Sequence, residues 1–419
     1  MWGKQISNAM TDTITEDLNI TKDQVGTGSQ LMSAGIVIAE IPSNLILQRL
    51  GAPVWLTFII AVWGTISLAQ AYVTNLSSFY ATRFLLGVFE GGYIPGAQYT
   101  LALFYKSDEL ALRTAIFYFG NFFSAATGSL IAAGLLQLAV EGAITLSAFF
   151  LLLLFLPFSP QRTRPIHGLF DIFTQSERDI MYHRVVSEDA SKAHARAHIS
   201  KANLFEALTD FRLWLHAIVN MLAASPKTAL GLYGPSIIKR LGFSKTKANL
   251  LNSVHSYCLI VLSFILSFAS DKTGQRGIFC IFSYLWSITF AAALVGLGVN
   301  RDKWLLYAIF TLVSTGNSLG VALNDAWLSV NSTSPHKRSM GLALAVIGSN
   351  LGGVIGPSLF KDSDAPAYRK GFAAIIGLYG GSILITLVLM FTYWQDTEKV
   401  RKQADERGEN QEETRRFHL

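Results

Sequence analysis

Arg83-Phe-Leu-Leu-Gly87-Val-Phe-Glu90-Gly91-Gly92-Tyr93-Ile-Pro95-Gly96 lies inside an apolar run from about Leu76 to Phe104. The run is long enough to cross a bilayer. It nevertheless holds an arginine, a glutamate, glycines and a proline. A charge at bilayer depth costs roughly 3 kcal/mol on insertion scales unless it faces protein or a water-filled cavity. Arg83, Gly87 and Glu90 follow i, i+4, i+7 spacing and share one helix face, which Gly91 extends. A charged, small-residue stripe of this kind suits a helix that lines a polar path, with neighbours packed close on the glycines. The alternative is an Arg–Glu pair that joins two helices.

Composition agrees with a membrane setting. Of the 419 residues 51% are hydrophobic and 15% charged, against about 25% charged in a soluble domain. Mean hydropathy is positive, +0.37. The chain therefore reads as an all-α polytopic membrane protein. The basic balance does not imply nucleic acid, because Lys and Arg collect in loops between apolar spans. Cys258 and Cys280 make no metal spacing and no disulfide framework. No nucleophile–base pair or phosphate loop is visible, so no enzyme, metal or cofactor is expected.

Apolar runs predict about eleven spans, five before and six after a hydrophilic segment at 159–211. This gives an N-terminal bundle at 1–158, a cytoplasmic linker at 159–211, a C-terminal bundle at 212–394 and a charged tail at 395–419. Two short amphipathic helices are expected in the linker, near Gln175–Val186 and Lys201–Leu208. The apolar run from Thr114 to Phe158 is too long for one helix and is expected to turn near Ala139–Gly142. An internal repeat relates the two halves. Arg113 precedes Gly120-Asn121 and Gly128, as Arg338 precedes Gly348-Ser-Asn350 and Gly352. With linker and tail in the cytoplasm, about 21 Lys and Arg lie inside and about 11 outside. Lys239, Arg240, Lys245 and Lys247 fall on the outer side, against that trend.

Several side chains suggest chemistry. Lys227 sits midway along its span, beside Pro226, with Gly231, Gly234 and Pro235 further on. Pro226 removes a backbone hydrogen bond, and a broken membrane helix is tolerated where it lines a cavity. A buried lysine there needs an anion, on the protein or on a substrate. Glu40, near the middle of the first span, is a second polar-path candidate or a helix-packing hydrogen bond. Tyr93, Asn121, His255, Asn324 and Asn350 are the remaining candidates for substrate contact, each with a helix-packing alternative. Tyr257, Asp325 and Trp327 lie beside them in sequence. Asp271-Lys-Thr-Gly274-Gln-Arg276-Gly277 closes a cytoplasmic turn. Its carboxylate suits a neighbouring helix N-terminus and its basic residues suit helix C-termini, a latch for one conformational state. The first-half counterpart, Gln48-Arg49-Leu-Gly51-Ala-Pro53, lacks the acid.

The Asp271–Gly277 turn resembles the loop signature of the major facilitator superfamily, and Arg83-x-x-x-Gly87 resembles that superfamily's fourth-helix signature. The opening stretch, Leu232–Gly242, Lys247-Ala-Asn-Leu-Leu251 and Asp364-Ala-Pro-x-Tyr368 resemble the fungal anion:cation symporters. Those are relatives of the allantoate, nicotinate, pantothenate and alternative-sulfate permeases. The resemblance implies twelve helices in two pseudo-symmetric bundles. It further implies proton-coupled uptake of a small organic or inorganic anion by alternating access, without a cofactor. On that resemblance Arg83 belongs to proton coupling, with Glu90 as a possible proton carrier; Glu40, the second polar-path candidate, is grouped with them. A monomer in the plasma membrane is expected, with a vacuolar or other organelle membrane as the alternative. The family's first helix has no counterpart in this sequence, where Ile6-Ser-Asn8-Ala-Met resembles the loop that normally follows it. The competing function is a membrane sensor without transport, and a channel is a lesser alternative.

Overall fold

The computed structural model describes residues 22–131, 137–188, 201–298, 301–332, 334–361, 364–365 and 367–407. Ile6–Met10 lies outside them. The regular secondary structure among the described residues is α-helix and short 3-10 turns. In chain order they are α1 Lys22–Leu50, α2 Ala52–Ala69, α3 Leu76–Glu90, α4 Tyr93–Phe104, α5 Leu110–Ile131, α6 Gln137–Phe155, α7 Gln175–Val186 and α8 Lys201–Thr209. These are followed by α9 Phe211–Arg240, α10 Lys245–Asn252, α11 Val254–Thr273, α12 Arg276–Leu297, α13 Lys303–Gly316, α14 Leu319–Asn331, α15 Pro335–Ile355 and α16 Arg369–Arg407. Among the described residues seven helical stretches are long and apolar enough to cross a membrane.

The expected run at Leu76–Phe104 is two helices of 15 and 12 residues, because Gly91 and Gly92 break it. Gly92 has φ 82°, a left-handed conformation that glycine adopts without Cβ strain, and Pro95 just beyond carries no N–H. The last span before the helix of the second repeat copy is also divided, into α13 and α14 at Asn317–Ser318. A further break separates α10 from α11 at Ser253.

Two expectations are corrected. The predicted turn at Ala139–Gly142 lies inside α6, since one glycine costs a helix only about 1 kcal/mol and the apolar run carries on around it. The helix that bears Lys227 is not broken: α9 runs for 30 residues through Pro226 and Pro235. Each proline deletes one ladder bond, and close packing supports the rest. Cβ atoms on Gly352 and Gly356 would meet the Met221 and Ser225 carbonyl oxygens at 2.3 and 2.7 Å. The two short linker helices are present as α7 and α8, the first with a capping box between Thr174 and Glu177.

The helices gather into two compact units. The first comprises 1–106, 120–209 and 333–350, and the second 107–119, 210–332 and 351–419. The sequential division at 158, 211 and 394 thus differs from the packing. The two helices of the internal repeat, α5 and α15, are the ones whose residues are divided between units. In the first unit α1 packs on α3 and α2 on α6. The α1–α3 crossing depends on glycine: a Cβ on Gly87 would lie 2.0 Å from the Met32 carbonyl oxygen, and one on Gly35 would lie 2.6 Å from that of Phe84. In the second unit α12 packs on α13, α14 and α16, and α9 on α14 and α16. Trp327, Tyr284, Tyr379 and Phe310 fill this unit's core.

Candidate functional site

In the first unit the polar side chains collect around the α3–α4 break. Arg83 and Glu90 are 3% and 7% exposed, and Gly87 between them is buried, so the face read from their spacing is turned inward. The Arg83 guanidinium stands 5.2 Å over the Phe79 ring. Glu40 on α1 is fully buried. Its Oε1 accepts the Gly92 N–H at 3.2 Å, a donor that the helix break would otherwise strand. Its Oε2 has no hydrogen-bond partner among the described residues. Ser43, one turn further along α1, accepts the Trp55 indole N–H at 2.8 Å and fits so closely under Gly92 that a Cβ there would meet its Oγ at 2.0 Å. Tyr93 opens α4, half-buried, with its ring 6.1 Å from that of Trp63.

Towards the end of α1 further polar side chains are buried. Asn44 is fully buried, donating to the Glu40 carbonyl at 2.9 Å and accepting from the Ser339 hydroxyl at 3.2 Å. Gln48 is 1% exposed, and neither end of its amide is hydrogen-bonded among the described residues. Asn121 and Asn350 are half-buried. The Asn350 amide donates to its own helix at Val346, 3.0 Å away.

The second unit holds a tighter network. Asp325 on α14 is 1% exposed and accepts from the Asn220 amide at 2.8 Å and the Tyr118 hydroxyl at 3.0 Å. The Asn324 amide donates to Asn220 Oδ1 at 2.9 Å and to the His216 carbonyl at 3.1 Å, and its Oδ1 meets His216 Nδ1 at 2.7 Å. A carbonyl oxygen only accepts, so His216 Nδ1 donates. In the neutral ring Nε2 then accepts from the Tyr393 hydroxyl, 3.1 Å away. Asn324 therefore commits both ends of its amide to helix packing. His216, Asn220, Tyr118 and Tyr393 were missed in the sequence, although His216 and Asn220 are polar, lie one turn apart in an apolar span and carry the signal of an intramembrane polar face.

Lys227 is half-buried on α9. Ser225, Pro226, Ala229 and Leu230 around it are buried. Gly231, one turn on and on the same face, is exposed and has open space where a Cβ would project. Lys227 thus stands at the edge of its unit's packing rather than in its core. His255 is half-buried and bound locally, to the Asn252 backbone and to Ser256 at 3.4 Å.

The Asp271 turn has a definite geometry. Its two carboxylate oxygens accept the backbone N–H groups of Ala111 at 2.9 Å and Leu112 at 2.7 Å, at the start of α5. This places negative charge on a positive helix end. Arg276, fully buried, bonds Asp271 Oδ1 at 2.7 Å and also reaches the Ser107 carbonyl. Gly274, at φ 69°, ends α11 and turns the chain between them.

The comparisons with known proteins bear on this arrangement. The profile of the Major Facilitator Superfamily matches residues 1–225 and 213–417. A protein of Agrobacterium vitis named "Putative tartrate transporter" is 27% identical, over 93% of this chain and 89% of its own length. "Major facilitator-type transporter hxnP" of Emericella nidulans is 26% identical, over 96% of this chain and 82% of its own. Among solved structures, the proton:xylose symporter XylE superposes with TM-score 0.68 at 14% identity, covering 93% of this chain and 92% of that one. The human organic anion transporter MFSD10 superposes with TM-score 0.64 at 13% identity, covering 92% and 90%. These two structures speak to the fold alone.

Proposed function

Because the chain belongs to the Major Facilitator Superfamily, we propose that it is a secondary active transporter carrying a small anion together with a proton. The observation that carries the reading is Lys227. It is a cation halfway along a membrane helix, at the edge of the packing and next to the open space at Gly231. A half-buried ammonium group beside open space presents positive charge to an anionic substrate that reaches it. The name of the Agrobacterium vitis relative, with its dicarboxylate, supports the same class. The proton reading rests on Glu40, Arg83 and Glu90 in the first unit. Glu40 presents one hydrogen-bonded and one unpartnered oxygen at the helix break, an arrangement that suits a carboxyl group able to gain and lose a proton. The Asp271 turn acts as a latch in this scheme by holding the start of α5. The protein works as a monomer in the plasma membrane. The test is uptake of labelled tartrate, nicotinate and sulfate into cells that express the chain, at pH 5 and pH 7.5. Uptake that is faster at acid pH and lost in Lys227→Ala supports the reading. Uptake that Lys227→Ala leaves unchanged removes the anion assignment, and no pH dependence removes the proton.

A further inference from the structure

The loops 239–247, 301–303 and 361–370 of the second unit hold nine Lys and Arg against three Asp. By the alternation of the helices they all lie at the end away from the linker and tail. Basic residues are disfavoured on that side of a membrane protein, so their accumulation calls for a cause. Two of the three acids are engaged in helix starts. Asp302 accepts the Trp304 and Leu305 N–H groups at 2.9 and 3.1 Å, and Asp364 accepts those of Lys370 and Gly371 at 2.7 and 3.1 Å. The third, Asp362, lies outside the described residues.

The cations stand on a platform. Lys303 lies 5.3 Å over the Phe243 ring, and Lys247 lies 5.9 Å from the same ring and 5.0 Å over Trp304. Phe243 in turn packs edge-on against Trp304 at 4.9 Å and Tyr307 at 5.9 Å, and the Tyr307 hydroxyl is tied to the Leu251 carbonyl at 3.0 Å. Arg240 sits 5.5 Å over Tyr368. Interfacial Lys and aromatic residues that merely anchor a helix in lipid face outward. Here Trp304 is 47% exposed, whereas Phe243, Tyr307 and Tyr368 are 6%, 9% and 2% exposed, so the rings beneath Lys303 and Arg240 belong to the buried end of the bundle. Ring faces attract and position the Lys247 and Lys303 charges without neutralising them. Among the described residues neither Lys247 nor Lys303 forms an ion pair, and both are exposed.

We propose that this end of the second unit is an anion-collecting collar, a fixed cationic surface that concentrates small solute anions from the solution it faces. Its use in uptake rests on the anion-transport reading above, whereas its existence as an anion-binding surface does not. A surface of one sign raises local counter-ion concentration and arrival rate by about 10-fold or more, and salt screens the effect.

Trp304 reports on the collar directly. The full chain is placed in nanodiscs of phosphatidylcholine, and the Trp304 signal is taken as the difference from Trp304→Phe. Iodide serves as the anionic quencher and acrylamide as the neutral one. Replacing Arg240, Lys247 and Lys303 together by Gln is expected to lower iodide quenching at least about threefold and leave acrylamide quenching unchanged. Raising the salt from low to high should lower iodide quenching of the parent in the same way. Unchanged iodide quenching in the triple variant overturns the collar. A parallel fall with acrylamide also overturns it, since the cations then only shape packing. Loss of iodide preference when phosphatidylglycerol is added, beyond the fall that the same lipid causes in the triple variant, overturns the solute assignment in favour of lipid headgroups. In uptake assays the triple variant is expected to raise KM severalfold with maximal rate unchanged. An unchanged KM in a parent that does take up anions removes the collar from uptake. A parent that takes up no anion yet keeps its iodide preference fails the transport reading and leaves the collar standing.

Discussion

On the proposed function transport chemistry turns on Lys227 and Glu40, and the two are expected to fail in different ways when changed. Lys227→Ala removes the charge that offsets a substrate anion, and we expect the initial rate of anion uptake to fall by about tenfold or more, equivalent to about 1.4 kcal/mol. Lys227→Arg keeps the charge and is expected to keep part of the rate, with surface amount measured in parallel. Glu40→Gln preserves the oxygen that accepts the Gly92 N–H but cannot release a proton. Its expected signature is uptake that no longer differs between pH 5 and pH 7.5, in a protein that melts close to the parent. A pH response retained by Glu40→Gln moves the proton site to another group. Gly92 tests the break itself. A Cβ there meets Ser43 Oγ at 2.0 Å, at φ 82°. The left-handed conformation alone costs an L-residue about 1–2 kcal/mol, so Gly92→Ala should lower the melting temperature measurably in a thermal-shift assay.

At the scale of elements, α8 is joined to the start of α15 within the first unit by Glu206, which meets Lys337 at 3.1 Å and His336 at 3.4 Å. The hydrogen bond and charge of Lys337, with a smaller contribution from His336, hold the Glu206 carboxyl below the usual glutamate range. A group shifted down stabilises the structure above its unfolded pKa, and that contribution is lost as pH falls through the folded value. Hydrogen exchange at 201–209, corrected for intrinsic rate, should therefore rise at pH 3 relative to pH 6, and Glu206→Gln should reproduce the rise at pH 6. Equal exchange in parent and variant at pH 6 would show that the tie carries no weight. Elements were legible in the sequence to different degrees. The spans followed from apolar run length, and α7 and α8 followed from amphipathic spacing in a polar segment. The breaks at Gly91–Gly92, Ser253 and Asn317–Ser318 did not, because hydropathy passes through them unchanged. At Gly91–Gly92 the glycines make the break and Glu40 supports it by accepting the Gly92 N–H, and at Asn317–Ser318 the Tyr379 hydroxyl donates to the Asn317 side chain at 2.7 Å. The reverse error at Pro226 and Pro235 has the same origin: glycines of α15 and the turn after it pack against α9 and keep it helical, and no local pattern reveals them. The Arg83–Glu90 face was legible from spacing, whereas the His216–Asn220–Asn324–Asp325 network needed the pairing of α9 with α14.

For the whole molecule, orientation decides what each polar feature meets. The collar faces the outer solution only if linker and tail are cytoplasmic, and the Lys and Arg balance of about 21 against about 11 favours that side. The chain provides a clean background for a direct measurement. Cys280 is fully buried, so Cys258, which is exposed, is the thiol to remove. In a Cys258→Ser background, Ser176→Cys places a thiol on α7 in the linker, and Arg301→Cys places one in the exposed turn before α13. A membrane-impermeant maleimide added to intact cells is expected to label the Arg301 position and to reach the Ser176 position only after permeabilisation. The reverse pattern would turn the collar towards the cytoplasm and make it a surface for product release. The Asp271 turn would keep its local chemistry in either orientation, because its partners Ala111, Leu112 and Arg276 lie within the second unit.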